Sequence, residues 1–489
     1  MTIHTIAPGF LQHYYPLELV SAIAALQKKV QYLYLAGGAV RDLLLGGKPI
    51  DLDFAVGANA IEAAQFFALH INGKFVLLDE SEEVARVVWK NYCLDFTSFR
   101  QKTKDIKEDL RLRDFTINAM AYQVSTETPD LIATSNLIDP CNGLDDLQKG
   151  IIKYTHDGAF TNDPLRILRA YRFGAIYGYR LEAETAEAIR RDGKLLKKVS
   201  PERVSSELHK IMVSNRARDC FKHMDDWGVL AILFPEIAAG KNVQQPGSHH
   251  LDVFEHNLAA LGELEKIIAE NTPEDLGLDA HEADYLKDRE RMRRLKWASF
   301  FHDLGKPSAS KIRDGRITFY GHDNTGSEQF VKIAQRLKWS RLDTDLIARF
   351  IKHHMWLFHL TNAQKKTGIK PKACLKIHKA LGAELTGLYL LSLADSLAAK
   401  GADKPEGMEK RLQDLYLLIR QVIKERVDPV LSRPPVLSGK DLISHFQLTP
   451  GPLFKKILLS LEKEQVTRGQ MTKEAALDWV ENYLRPSKE

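Results

Sequence analysis

The spacing of hydrophobic positions changes along this chain, and the change divides it. From Pro16 to Val30 apolar residues recur at helical spacing, which predicts a leading amphipathic helix. The apolar run Tyr32 to Ala36 predicts a buried strand, closed at once by Gly37-Gly38. Val40, Leu43, Leu44 and Leu45 predict a short helix, stopped by Gly46-Gly47. Ile50 to Val56 alternates with a period of two. Asp51 and Asp53 therefore share one strand face, while Leu52 and Phe54 point into the core. Ile61 to Leu69 reads as a helix; Lys74 to Leu77, Glu83 to Trp89 and Tyr92 to Phe96 read as strands. Glu108 to Tyr122 reads as a helix-like segment. Its apolar face is Leu110, Phe115, Ile117 and Met120, and Asp109, Arg111, Arg113, Asp114 and Asn118 crowd the rest. Ile138 to Gly150 is turn-rich around Asn142-Gly143.

From Phe160 onward the period is helical. Asp163 with Pro164 reads as an N-cap and first-turn proline, and Ser200 caps a helix that starts at Pro201. Asn271 to Asp288 is polar and acidic and reads as a surface insertion. A loop with Pro429, Pro434 and Pro435 precedes a last helical unit, Ser438 to Leu484. The fold class is α+β: a small mixed-sheet head over 1–135, then an all-α neck over 136–235, a body over 236–425 and a tail over 426–489.

Composition adds limits. With 489 residues the chain has room for two to four domains. A net charge of +5 permits an RNA partner without demanding one. Four scattered cysteines without a Cys-x-x-Cys spacing disfavour a zinc ribbon or disulfide framework and suit a reducing cytoplasm. The polar His4, Pro8 and His13 stand where an export signal needs an apolar run. The apolar stretch Leu385 to Ala399 contains Asp395 and is too short to span a bilayer.

Two constellations carry chemistry. In the first, glycines let backbone approach a phosphate, and the amides that open the following helix, near Ala39 to Arg41, form an anion site. Paired carboxylates on one strand face, Asp51 and Asp53, suit Mg²⁺ with substrate phosphates completing its shell. Asp95, on the last head strand, reads either as a third carboxylate or as an exposed strand acid. Further on, Asp163 and Arg166 lie three apart and face together, an acceptor and a donor able to read the polar edge of a base or simply to form a surface ion pair. In the second constellation, His256, His302-Asp303, His322, His353-His354 and Asp395 are spread over several helices. Imidazole with carboxylate suits Mn²⁺, Ni²⁺ or Fe. The basic run Gln364 to Lys379 reads equally as an RNA phosphate contact or a solvated face.

Gly37-Gly38-Ala39-Val40-Arg41-Asp42 followed by Asp51-Leu52-Asp53 resembles the signature of the polymerase-beta-like nucleotidyltransferases, and more narrowly the bacterial class II tRNA nucleotidyltransferases and poly(A) polymerases. Arg111-Leu112-Arg113-Asp114-Phe115-Thr116-Ile117-Asn118-Ala119 resembles that family's second motif. The resemblance implies that Asp51 and Asp53 hold Mg²⁺ and that Gly37, Gly38 and Arg41 hold a triphosphate. It implies that Arg111, Arg113 and Asp114 select ribose, with Asn118 beside them. It implies too that Asp163 and Arg166 pair with the incoming base, with Arg169 and Arg172 continuing the basic face toward phosphates. Asn162 departs from the acidic residue usual before Asp163. The second half resembles the HD phosphohydrolases, which implies His256, His302, Asp303 and Asp395 as metal ligands, with His322 and His353 or His354 completing a second site.

The implied activity is template-independent addition of nucleotides to a tRNA 3′ end with release of pyrophosphate. Only Gln101 to Lys107 links the last head strand to the second motif, where CCA-finishing relatives carry a longer flexible loop. That truncation resembles the enzymes that add two cytidines and stop. Full CCA addition, A-addition or poly(A) synthesis are the alternatives within the family, and a metal phosphohydrolase with an RNA-binding head is the alternative from another class. The expected partners are tRNA, CTP (ATP in the alternatives) and a separate A-adding enzyme in the same cell, with neither membrane nor DNA.

Overall fold

The computed structural model describes residues 10–124 and 132–485. His4 and Pro8 lie outside the described residues, as do the side chains of His13, Lys365 and Lys366. The chain divides into two compact units, 1–216 with 220–233, and 217–219 with 234–489.

The first unit is built on a seven-stranded mixed sheet. Its strands are β1 (Leu33–Ala36), β2 (Asp51–Val56), β3 (Lys74–Asp79), β4 (Val84–Trp89), β5 (Tyr92–Ser98), β6 (Ala121–Val124) and β7 (Ile132–Ile138), in the order β3-β4-β5-β2-β1-β6-β7. β2 runs parallel to β5 and antiparallel to β1, and this register sets Asp53 opposite both Ala36 and Asp95. Leu52 and Phe54 are buried beneath, where Phe54 stacks on Phe96. The period-two reading of β2 thus holds. Asp51 is exposed, but Asp53 is half-buried rather than open to solvent.

Two readings of this unit are corrected. The second-motif segment is not one helix: a helix covers Ile106–Arg111, a 3-10 turn Thr116–Asn118, and β6 follows. Its charges lie inside the fold: Asp109, Arg113, Asp114 and Asn118 are buried and bonded to one another or to distant elements. The turn-rich stretch contains a helix, Gly143–Lys149, which starts after Asn142 turns the chain with φ 57°. Gly143 is obligatory there, since a Cβ would lie 2.0 Å from the Thr116 carbonyl oxygen.

Among its described residues the second unit is helical apart from a two-stranded hairpin, Lys311–Arg313 with Arg316–Thr318. Helix Val253–Glu270 packs on Leu385–Ala398 and on Arg289–Phe301. Leu385–Ala398 is buried nearly all round, which explains its continuous apolar sequence. Among the described residues no helix is long and apolar enough to cross a membrane. The stretch 271–288 is not a loose surface insertion. Its Leu276, Leu278 and Tyr285 are buried, Tyr285 donates its hydroxyl to Glu384 at 2.6 Å, and Asp279 with Glu282 forms a capping box on helix Ala280–Lys287. In the basic run, Lys372 and Lys379 pair with Glu464 and Glu462 of helix Pro452–Arg468, so this part of the run is matched within the chain. Pro429 sits in the short helix Asp428–Leu431, so the proline loop is confined to the residues after it.

Candidate active site

Between the open face of the sheet and helix Arg166–Tyr177 lies a cavity of about 590 Å³. Gly37, Gly38, Arg41, Asp51, Asp53, Arg113, Asp114, Asn118, Asp163, Arg166, Arg169 and Arg172 all line it. One expected member does not: Arg111 is exposed at the end of its helix and outside the cavity.

Gly37 adopts φ 74°, and a Cβ there would stand 2.7 Å from Arg113 Nη1 and 3.1 Å from Asp53. Only glycine fits between the strand end and these two charges. Burial pushes the Asp53 carboxyl up, the facing Arg113 guanidinium opposes this, and Asp95 adds to it. Two strand-face carboxylates, one driven toward its neutral form by burial and a neighbouring acid, fit a divalent cation as the missing counter-charge. Asp95 itself is held by Arg86 in a bidentate pair at 2.7 and 2.8 Å, although it lines the same wall.

The opposite wall is one connected network. Arg41 donates to Asn118 Oδ1 at 2.5 Å and lies over the rings of Phe173 and Tyr177. Asn118 donates to Asp114 Oδ1 at 3.0 Å. Asp114 also accepts from the Phe115 amide and from Arg169, whose Nη2 is 2.6 Å away. Burial alone would raise the Asp114 carboxyl, but Arg169, Asn118 and Arg166 outweigh it and hold it below the usual range. Arg172 is held by buried Glu207 at 3.1 Å. Among the described residues Arg166 makes only long contacts, 3.4 Å, to the carbonyls of Leu112, Arg113 and Ala159, so its guanidinium keeps donors for a ligand.

Asp163 sits between two helices rather than capping one by itself; its Oδ1 accepts the Leu165 amide at 3.3 Å. It is also paired with Arg203, at 3.2 Å. Ser200 makes no side-chain cap bond to its helix.

In the second unit, two buried triads converge: His256, His302 and Asp395, and Asp303, His322 and His354. The choice between the paired histidines resolves to His354, because His353 turns away onto Trp356. His302, His322 and His354 each bond a backbone carbonyl three residues earlier through Nδ1, at 2.7–2.8 Å. That contact makes Nδ1 a protonated atom and turns each Nε2 inward, where the neutral ring offers a lone pair. His322 and His354 bring their Nε2 atoms to 3.1 Å of each other, and Asp303 Oδ1 lies 3.3 and 3.6 Å from them. The buried His302 Nε2 makes no well-aligned hydrogen bond among the described residues, although Asp303 Oδ2 lies 3.2 Å away. Converging lone pairs and carboxylates of this kind fit transition-metal cations. Lys306 reaches Asp303 at 2.6 Å, and His249, whose ring burial drives down to about 3, packs edge-on against His256. Neither was found from the sequence, since both gain meaning only from helices far apart in the chain.

The Poly A polymerase head domain family model matches residues 33–153, and the model described as the probable RNA and SrmB-binding site of polymerase A matches 178–241. An A-adding tRNA nucleotidyltransferase of Deinococcus radiodurans is 31% identical over 456 residues, covering 92% of this chain and 95% of that protein. A CC-adding tRNA nucleotidyltransferase of Thermus thermophilus is 28% identical over 452 residues, covering 90% and 91%. The fold matches that of the Thermotoga maritima CCA-adding enzyme solved with tRNA, with TM-score 0.60 and 23% identity over 99% of this chain and 100% of that one. With its glycine turn, strand carboxylates and arginine-lined cavity, the chain belongs to the tRNA nucleotidyltransferase and poly(A) polymerase family and is an enzyme of its CCA-adding class.

Proposed function

We propose that this enzyme adds the two cytidines of the tRNA CCA end from CTP and then stops, with the head and neck carrying the reaction. Gly37, Gly38 and Arg41 hold the triphosphate. Asp51 and Asp53 would hold Mg²⁺, which when bound lowers the pKa of the attacking hydroxyl and offsets charge on the pyrophosphate. The tRNA 3′-hydroxyl attacks the α-phosphorus, its proton is released, and the bond to pyrophosphate breaks. Arg113 and Asp114 meet the ribose. Asp163 accepts from the exocyclic amine of cytosine, and Arg166 donates to its ring acceptors.

One observation carries the choice of CC. The connection after β5 is short and tied down. Arg100 gives its amide and Nη1 to Asp109 at 2.8 and 3.1 Å, Glu108 gives its amide to Asp105 at 2.9 Å, and the helix has begun by Ile106. A segment so anchored has no slack with which to re-aim the base pocket for adenine. Grafting a longer flexible loop between Arg100 and Glu108 is expected to permit a third addition. A graft without effect removes this explanation. The greater identity of the A-adding relative favours A-addition as the second reading of the same pocket. Supplying each labelled NTP singly to a tRNA that ends before CCA separates the two, because an A-adding enzyme incorporates nothing from CTP there.

Alanine at Asp163 or Arg166 is expected to blur CTP over UTP by about 5- to 150-fold, the equivalent of the ~1–3 kcal/mol of one bidentate base contact. The tRNA affinity should stay nearly constant. Unchanged discrimination in both variants would leave them structural roles alone, Asp163 as the partner of Arg203 and Arg166 as a donor to backbone carbonyls.

The paired triads favour a second activity in the same chain, metal-dependent hydrolysis of phosphate esters. His256, His302 and Asp395 would hold one cation, and Asp303, His322 and His354 a second; the group supplies an activated water when bound. Lys306 lies where it can meet a phosphate oxygen. With added Mn²⁺ or Ni²⁺, turnover of a 2′,3′-cyclic nucleotide is expected, and His302→Ala should abolish it while nucleotide addition continues. Turnover that ignores His302 and tracks Asp51 would place the hydrolysis in the head.

A further inference from the structure

The reading of Asp163 as the base acceptor leaves open what fixes its direction. A free aspartate turns about two side-chain bonds and presents its oxygens over a wide arc. In this structure Asp163 has one backbone donor, the Leu165 amide to Oδ1 at 3.3 Å. Its one side-chain donor among the described residues is Arg203, whose Nη2 stands 3.3 Å from Oδ1 and 3.2 Å from Oδ2.

Arg203 comes from the first turn of helix Pro201–Val213, forty residues on. The same helix carries Glu207 one turn later, and buried Glu207 holds Arg172 of the cavity wall. A single helix therefore grips the cavity at two points, one acidic and one basic. Arg172 lies deep, with 15% of its side chain exposed. Arg203 is 55% exposed and Asp163 32%, so their pair lies at the solvent edge and contributes little to folding.

We infer that Arg203 is a positioning residue for base choice: it clamps the Asp163 carboxylate at the depth that meets a pyrimidine amine and denies the different depth that a purine amine requires. Cytosine and adenine both offer an amine donor to Asp163 and a ring acceptor to Arg166, so hydrogen-bond polarity alone does not separate them. Uracil and guanine present a carbonyl to the carboxylate and are repelled wherever it points. Discrimination of C from A must then come from where the carboxylate is held. Discrimination against U and G needs only that it be there.

This inference rests on the base-reading role of Asp163 and on C as the native base, and the test keeps these apart. The full-length enzyme is assayed on a tRNA ending before CCA. The kcat/KM for CTP, ATP and UTP is measured for wild type, Asp163→Ala, Arg203→Ala and Arg203→Lys. In Arg203→Ala the CTP-to-ATP ratio is expected to fall at least tenfold while UTP stays excluded, and Arg203→Lys should recover part of the ratio. A purely structural role would lower kcat/KM for all nucleotides together, and that outcome overturns the inference. So does a ratio within twofold of wild type in Arg203→Ala when Asp163→Ala has relaxed UTP exclusion. If Asp163→Ala relaxes nothing, or the wild type prefers ATP, the underlying reading fails and this one with it.

Discussion

Asp51→Ala and Asp53→Ala each lose nucleotide addition to below detection, a drop of at least a thousandfold, while the protein stays folded. The two carboxylates share a face of β2 at the rim of the cavity. Neither forms an ion pair among the described residues that folding would miss, and burial already disfavours the charge on Asp53. Removing an unpaired, partly desolvated carboxylate costs the fold little, and alanine there relieves repulsion with Asp95. The chemistry is another matter. Without either acid the divalent cation loses a first ligand, and the transfer step loses charge stabilisation worth several kcal/mol. Circular dichroism and thermal unfolding check the fold, and pyrophosphate release checks the reaction. An active double variant would mean that other ligands hold the cation.

The second large effect concerns stability. Asp114→Ala is expected to destabilise the first unit by about 3–5 kcal/mol, the usual cost of removing one partner of a buried ion pair. Arg169, Asn118 and the Phe115 amide all lose their acceptor at once, and Arg41 loses the neighbour that orients Asn118. The same network gives a signed pH dependence. The folded Asp114 carboxyl lies below its ordinary 3.8, chiefly because Arg169 outweighs the penalty of burial. A depressed folded value means stability that is fully present above the unfolded value and is lost as pH falls through it toward the folded one. Acid unfolding of the wild type should therefore steepen below about pH 4, and that part of the slope should vanish in Asp114→Ala. Urea unfolding at pH 7 and pH 3 measures both quantities. Equal loss at both pH values would deny Asp114 this role.

What the sequence disclosed, and what it hid, follows from the range of the interactions. Period-two alternation is local, so the shared face of Asp51 and Asp53 was readable directly. Glycine before a helix was likewise readable, and Gly37 has the positive φ that the position needs. The second motif was misread in shape because its charges are neutralised by partners far away in sequence, such as Asp114 by Arg169. Locally, a dense row of charges looks like a solvated helix face. Arg111 and Arg113 are two residues apart, and only the bend after Arg111 sends one outward and the other into the cavity. His353 and His354 differ by one helical step, and the apolar pattern around them does not say which faces inward. Arg86 on Asp95, Lys306 on Asp303 and Arg203 on Asp163 were not legible at all, because each is a contact between elements whose packing the sequence pattern does not encode.

The most direct test of CC-addition offers this protein alone a tRNA that ends before CCA, with CTP and ATP both present, and resolves the product to single nucleotides. The expected product is the tRNA extended by two cytidines, with no further growth on longer incubation. Efficient appearance of the complete CCA end, or a lack of any extension until a CC-ended tRNA is supplied, would contradict it.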